Sequence, residues 1–240
     1  MQNGVKQGFT LAEVLITLGV IGVVSAITIP MLVSHYNKYI TETRLEAVYS
    51  TILQGFRMAE ANESALLDSK TDDADVNGYS KARSKAVFEQ IFMPVFTGCS
   101  EYPETNVLKH LYSYDGTVRL TNLGFYSVYY VLNNGTLLGF TRAGNYDGMI
   151  FNVYINPNKK RLLLGKDVFQ FLFRADGNGG YEYSPLWGTT YNNPAGRLKL
   201  IEYCKSTVTH PAYASQPHAF CTELIVRNNF HIPSDYPVHF

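Results

Sequence analysis

Charge is scarce in this sequence. Of 240 residues, 20 are Lys or Arg and 20 are Asp or Glu, so charged side chains make up 17% and the formal net charge is zero. Without an excess of either sign, no global field draws in nucleic acid or an anionic surface, and no nucleic-acid partner is expected. Enzyme signatures are missing too. There is no G-x-S-x-G, no phosphate-cradling G-x-x-x-x-G-K, no H-E-x-x-H and no G-x-G-x-x-G after a strand. Scattered Ser, His and Asp residues prove nothing by themselves, so the chain is read as a non-enzyme. Cysteine is limited to Cys99, Cys204 and Cys221, an odd number that leaves one over if a disulfide forms. The six histidines lie at no H-x3-H or C-x-x-C spacing, which argues against zinc although four fall in the last 31 residues. No repeat with a period of 20–50 residues is visible.

What the chain does have is an apolar start. Residues 9–33 form a run of 25 with a single charged side chain, Glu13. A secretory signal peptide needs a basic leader, a shorter apolar run and a small-residue cleavage site. Here the leader carries only Lys6, the run is too long, and Pro30 follows without an A-x-A site. An ordinary membrane anchor fits the length, since about 20 apolar residues span a bilayer. It does not explain Glu13, because a carboxylate in such a segment is costly and marks a function with a partner nearby.

The stretch Gly8-Phe9-Thr10-Leu11-Ala12-Glu13, followed by the apolar run, resembles the class III signal of type IV pilins and type II secretion pseudopilins. That resemblance covers about 35 residues. It implies cleavage between Gly8 and Phe9 by a prepilin peptidase, methylation of the new amino terminus at Phe9, and a role for Glu13 in assembly. Pro30 matches the proline of family helices near the end of the run. In physical terms, cleavage creates a charged amine at Phe9 that needs a counter-charge once it is buried in a filament. A carboxylate one turn along meets its own amine or a neighbour's, and such a pair sets register more than it adds net stability. Pro30 removes a backbone donor and clashes with the preceding turn, which predicts a kink; a plain helix end is the alternative.

Beyond Pro30, Leu45, Val48, Tyr49, Ile52 and Phe56 make one apolar stripe at helical spacing, so residues 9–61 read as a single helix of roughly 75–80 Å. Residues 62–85 are polar and read as an exposed loop. Val87, Phe88, Ile91, Phe92, Val95 and Phe96 crowd one face of a short helix with Pro94 near its end. Residues 97–117 read as irregular. Tyr, Phe, Gly and Asn are abundant, with 18 Tyr and 14 Phe, which favours β structure. A hairpin over 127–140 turns on Asn134-Gly135, a strand covers 149–155 and another 168–174, giving an antiparallel meander of three or four strands. Residues 222–237 read as a short helix with an irregular end. The aromatic excess is assigned to sheet core and subunit contacts rather than to a sugar or nucleic-acid platform. The fold expected is α+β: a long N-terminal helix, apolar then amphipathic, packed on an antiparallel β-sheet head, as in pilins. Its parts are a leader (1–8), a membrane and filament-core helix (9–33), an amphipathic helix (34–61) and a globular head (62–240).

The resemblance extends further. Gly165-Lys166-Asp167-Val168-Phe169-Gln170-Phe171 is similar to the G-x-D-x-F-x-F strand of some pseudopilin heads. Several pilin families staple a C-terminal loop with a disulfide. Cys204 and Cys221, which flank sixteen residues in a domain the leader places outside the cytoplasm, are paired on that ground. Cys99 is then a small buried hydrophobe or replaces one of them. Some major pseudopilins bind calcium, and Asp176-Gly177-Asn178-Gly179-Gly180-Tyr181-Glu182 has an oxygen-rich, glycine-turned look; a plain turn is preferred and no cofactor is expected. The function implied is that of a structural subunit of a type IV pilus or type II secretion pseudopilus. It implies prepilin peptidase, an inner-membrane platform protein, an assembly ATPase and other pilin or pseudopilin subunits as partners. The chain is then single-pass in the inner membrane with its head in the periplasm before entering the filament. The alternative is a membrane-anchored exported binding protein or enzyme whose N-terminal helix stays uncut.

Overall fold

The computed structural model describes residues 8–61, 80–103, 110–120, 127–143, 148–176, 178, 180–184, 196–206 and 217–240. Helix α1 spans Leu11–Ala61. The chain divides into two compact units, one reaching to Ile40 and including Phe240, the other running from Thr41 to His239. In the first unit α1 is apolar on every side, and its side chains from Leu11 to Val33 are exposed apart from a half-buried Ser25. Pro30 does not end the helix. The Ser34 hydroxyl donates to the Phe240 carbonyl at 2.8 Å.

In the second unit the rest of α1 buries Thr41, Leu45, Val48, Ile52, Gly55, Phe56 and Ala59, steps of three and four that place one stripe against the core. That stripe lies on a six-stranded antiparallel sheet of order β1-β3-β4-β5-β7-β8, built from Ser100–Glu101, Val128–Val131, Leu137–Ala143, Gly148–Tyr154, Val168–Ala175 and Tyr181–Tyr183. The architecture is the α+β one expected, a long helix on an antiparallel sheet. β5 sets Phe151 opposite Phe171 and Phe140, and Phe173 opposite Met149, so alternate aromatics share one face. Phe56 of α1 meets Phe173 at 5.0 Å and Tyr181 at 5.0 Å, and Tyr49 meets Phe171 at 5.5 Å. Helix α2, Lys81–Val87, passes into one π-helical turn, Phe88–Phe92, in which the Met93 N–H reaches the Phe88 carbonyl at 2.9 Å. This extra residue in the turn accompanies a cluster in which Phe88, Phe92 and Phe96 face one another and the sheet.

The opposite face is covered as well. β2 (Leu111–Tyr112) and β6 (Leu162–Leu163) pair in parallel, and Leu111, Leu162 and Leu164 pack with Tyr129, Leu137, Tyr154 and Val168. Helix α4, Pro217–Val226, lies along β7. Its Thr222 hydroxyl accepts the Gln170 N–H at 3.0 Å and donates to the His218 carbonyl at 2.7 Å, so a side chain satisfies a strand-edge donor. Helix α3, Arg197–Cys204, pairs with α4.

Four expectations need correction. The meander is six-stranded, with a second two-stranded sheet, because β1, β2, β6 and β8 are two or three residues long and carry no readable alternation. The segment 97–117 accordingly holds β1 and β2. The polar segment 62–85 gives way to helix at Lys81, where Ser80 caps the turn by accepting the Arg83 N–H at 3.1 Å; residues 62–79 lie outside the described set. The tail helix starts at Pro217, and α3 precedes it without having been foreseen.

His218 sets a pH dependence. It is buried, its Nε2 lies 3.2 Å from Asn152 Oδ1, and that same oxygen accepts the Gln170 amide at 2.9 Å. An oxygen can only accept, so Nε2 carries the proton, and the buried Nδ1 has no hydrogen-bond partner among the described residues. Burial pushes the imidazole down from the usual 6.5 to about 3. The unfolded chain therefore takes up a proton near pH 6.5 that the folded chain refuses. Stability falls as pH drops through that window and levels off below about 3. At pH 5 the loss is about 2 kcal/mol. Urea titrations at pH 7 and pH 5 check this, and His218→Gln is expected to flatten that part of the profile.

Candidate functional site

Two features of the chain are candidates for a functional role: the start of α1 and the disulfide of the head. Gly8, Phe9 and Thr10 are non-helical and exposed, with Phe9 90% exposed, and the helix begins at Leu11. Residues 1–7 lie outside the described set, so of the expected leader only Gly8 is described. A Cβ built on Gly8 would meet nothing within 4 Å.

Thr10 and Glu13 form a reciprocal cap. The Glu13 N–H donates to Thr10 Oγ1 at 3.2 Å, while Glu13 Oε2 accepts the Thr10 N–H at 2.8 Å and the Thr10 hydroxyl at 2.7 Å. This is a capping box, which satisfies two donors that the first helical turn would leave orphaned. A carboxylate there also suits the positive end of the helix dipole. The sequence reading quoted Thr10 as part of the motif and passed over its role in the cap. Its signal, T-x-x-E ahead of an apolar run, stood in plain view. Glu13 thus has a local role in the full-length chain, as half of this cap.

In the head, Cys204 at the end of α3 and Cys221 in α4 form a disulfide with Cα atoms 4.8 Å apart, as the family resemblance implied. Both cysteines are fully buried. The Cys221 sulfur lies against Gly165, where an added Cβ would come within 2.6 Å of it. Gly165 has φ +77°, and its carbonyl accepts the Tyr236 hydroxyl at 2.6 Å. In the same stretch Asp167 is buried, accepting the Leu163 N–H at 3.1 Å and pairing with Lys159 at 2.5 Å. The G-x-D-x-F-x-F stretch thus turns on its glycine and aspartate, and its glycine abuts the disulfide. Replacing both cysteines by alanine is expected to cost about 3 kcal/mol in the chain-entropy account of a loop this size. Thermal melts should fall by roughly 6–12 °C for a chain of this length.

Cys99 is a free, half-buried thiol whose pKa burial pushes up. Asp176 Oδ1 accepts the Asn178 N–H at 2.8 Å and the Gly180 N–H at 3.0 Å, so this carboxylate closes a turn of the backbone. Glu182 stands in β8 across from Arg174. Gly177, Gly179 and His210 lie outside the described residues. Among the described residues, no three His, Cys, Asp or Glu side chains gather where a metal could be held.

Comparison with known proteins covers nearly the whole chain. Residues 4–29 match the model of the prokaryotic N-terminal methylation motif. Residues 31–240 match the model of a family of unknown function, DUF6613. The chain belongs to the DUF6613 family. The start of its first helix carries the prokaryotic N-terminal methylation motif. The DUF6613 protein is also 36% identical over 80 residues to the type IV major fimbrial protein FimA of Dichelobacter nodosus. That match spans 33% of this chain and 46% of the relative. No solved structure matches the DUF6613 protein.

Proposed function

We propose that this protein is a structural subunit, a pilin or pseudopilin, of a type IV pilus or type II secretion pseudopilus. The observation that carries the reading is the methylation motif set on a helix that is apolar all round up to Val33 and then turns amphipathic to bury its second half in a head. One half is built to pack among other helices and the other to hold its own domain. Prepilin peptidase cuts between Gly8 and Phe9 and methylates Phe9. The helix rests in the inner membrane with the head in the periplasm. A platform protein and an assembly ATPase then drive it into a filament of like or related subunits, and Pro30 supplies a kink or local unwinding in the packed helix. The protein acts by assembly rather than by catalysis.

Mass spectrometry of the native protein tests this. The expected mature chain lacks residues 1–8 and carries one added methyl group on Phe9. An intact amino terminus, or a cut near Ala26, would instead favour an exported membrane-anchored protein with another task.

A further inference from the structure

The apolar run is longer than a bilayer requires, so its depth in the membrane is not set by length alone. An inference on this point rests on the reading of α1 as a membrane helix before assembly. A hydrocarbon layer of about 30 Å takes about 20 helical residues, whereas 25 separate Phe9 from Val33 inclusive. Two features of the first unit break the tie. Tyr36 and Tyr39 are 62% and 63% exposed on the helix just past the apolar run. Three residues apart, they share a face, and Lys38 lies between them. Tyrosines with an apolar body and a polar tip collect at the membrane–water boundary, and a lysine there reaches outward to the headgroups. At the other end, Glu13 and Thr10 hold each other in the cap.

We infer that Tyr36 and Tyr39 form an interfacial belt that fixes the helix in the lipid bilayer, with residues 16–35 in hydrocarbon and Glu13 outside it. Counting about 20 residues back from Tyr36 reaches Ile16, and Glu13 then lies about 4.5 Å beyond, among the headgroups. An average tilt of about 20° lengthens the span by about one residue and leaves Glu13 on the polar side. The window 16–35 contains no acid and no lysine or arginine, and its polar residues Ser34 and His35 stand at the boundary itself, where Ser34 donates to the Phe240 carbonyl. Its two threonines donate back to their own helix, Thr17 to the Val14 carbonyl at 3.0 Å and Thr28 to the Val24 carbonyl at 3.0 Å. Neither hydroxyl therefore enters lipid unsatisfied. The capped carboxylate meets a dry environment only when the helix leaves the membrane for the filament. Membrane residence and filament entry thus make separate demands on Glu13.

The test uses the full-length chain with Cys99→Ser, leaving the buried disulfide intact. Single labelling sites are introduced as Ala12→Cys, Leu15→Cys, Ile21→Cys, Ala26→Cys and Val33→Cys. Spin labels at these sites, in vesicles of phosphatidylethanolamine and phosphatidylglycerol, are scored for depth by their accessibility to oxygen and to a water-soluble relaxant. The deepest label is expected at Ala26, with Ala12 in the headgroup layer. Tyr36→Ala combined with Tyr39→Ala is expected to move the deepest point toward Ile21. A maximum at Ile21 in the parent chain would place Glu13 in hydrocarbon and overturn the inference. A maximum that ignores loss of both tyrosines would overturn the belt. Labels that are all water-accessible would sink the membrane reading itself, a different result from either.

Discussion

A chain carrying Glu13→Ala is expected to enter the membrane and lose its leader as the parent does, yet to yield about tenfold fewer filaments or less. The reason is the proposed partner. In the proposed pathway, cleavage at Gly8 leaves a cationic amine on Phe9, and packing among neighbouring helices strips it of water. An unpaired charge in such a place is strongly unfavourable, so loss of its mate penalises every subunit added. The observed capping box makes a sharper comparison possible. Glutamine serves at the third position of a capping box as glutamate does, so Glu13→Gln keeps the reciprocal bonds with Thr10 while removing the charge. If the charge is what assembly needs, Glu13→Gln fails like Glu13→Ala, and Thr10→Ala, which keeps the charge, assembles better than either. If the cap is what matters, Glu13→Gln restores filaments and Thr10→Ala does not. Immunoblots of sheared filaments against total cellular protein give the ratio, and the mass of each variant confirms that processing was unaffected.

Phe92→Ala is expected to be the most damaging single truncation in the head, at about 3–5 kcal/mol. Phe92 is fully buried and sits at the centre of an aromatic group. Its ring lies 5.3 Å from Phe56, 5.5 Å from Phe140 and 5.0 Å from Phe151, at near-perpendicular angles to the first and last. It also rests on the backbone of α1. The place where Gly55 would carry a Cβ is 2.7 Å from Phe92 Cδ1, so α1 approaches this ring as closely as only glycine permits. Removing the ring opens a cavity walled by a helix and a sheet, neither of which collapses cheaply. Urea unfolding of the full-length chain should show the midpoint falling with little change in slope. A loss below about 1 kcal/mol would mean the site relaxes and the cluster is not the keystone of the helix–sheet contact.

Both predictions concern α1, and α1 was the most legible part of the sequence. Leu45, Val48, Ile52 and Phe56 recur at helical spacing and are the residues that the structure buries. The Asn134-Gly135 turn was readable for a similar reason. Gly135 has φ +78°, a conformation that its neighbours would adopt only under strain, and it joins β3 to β4 where the pattern indicated. By contrast, β2 and β6 hold two residues each and pair with partners 51 positions away. A strand so short has no period of its own, and its existence follows from the surface it covers. The cap at Glu13 was written in four residues, but the assembly reading of the carboxylate drew attention from Thr10. His218, one of the histidines whose spacing offered no metal site, is buried by the fold beside Asn152 and Gln170.

The sequence alone determined what is local or strictly periodic. It determined the motif at Gly8 and Phe9, the uncharged run broken by one acid, the amphipathic stripe and the strong strands, because propensity, spacing and charge act over a few turns of chain. The tertiary structure decided what depends on distant segments meeting. That includes the second small sheet, the α3–α4 pair closed by Cys204 and Cys221, Asn152 joining Gln170 to His218, and the glycine-deep contact of Phe92 with α1. Such features are stabilised by burial, and burial is a property of the assembled chain that no window of residues contains.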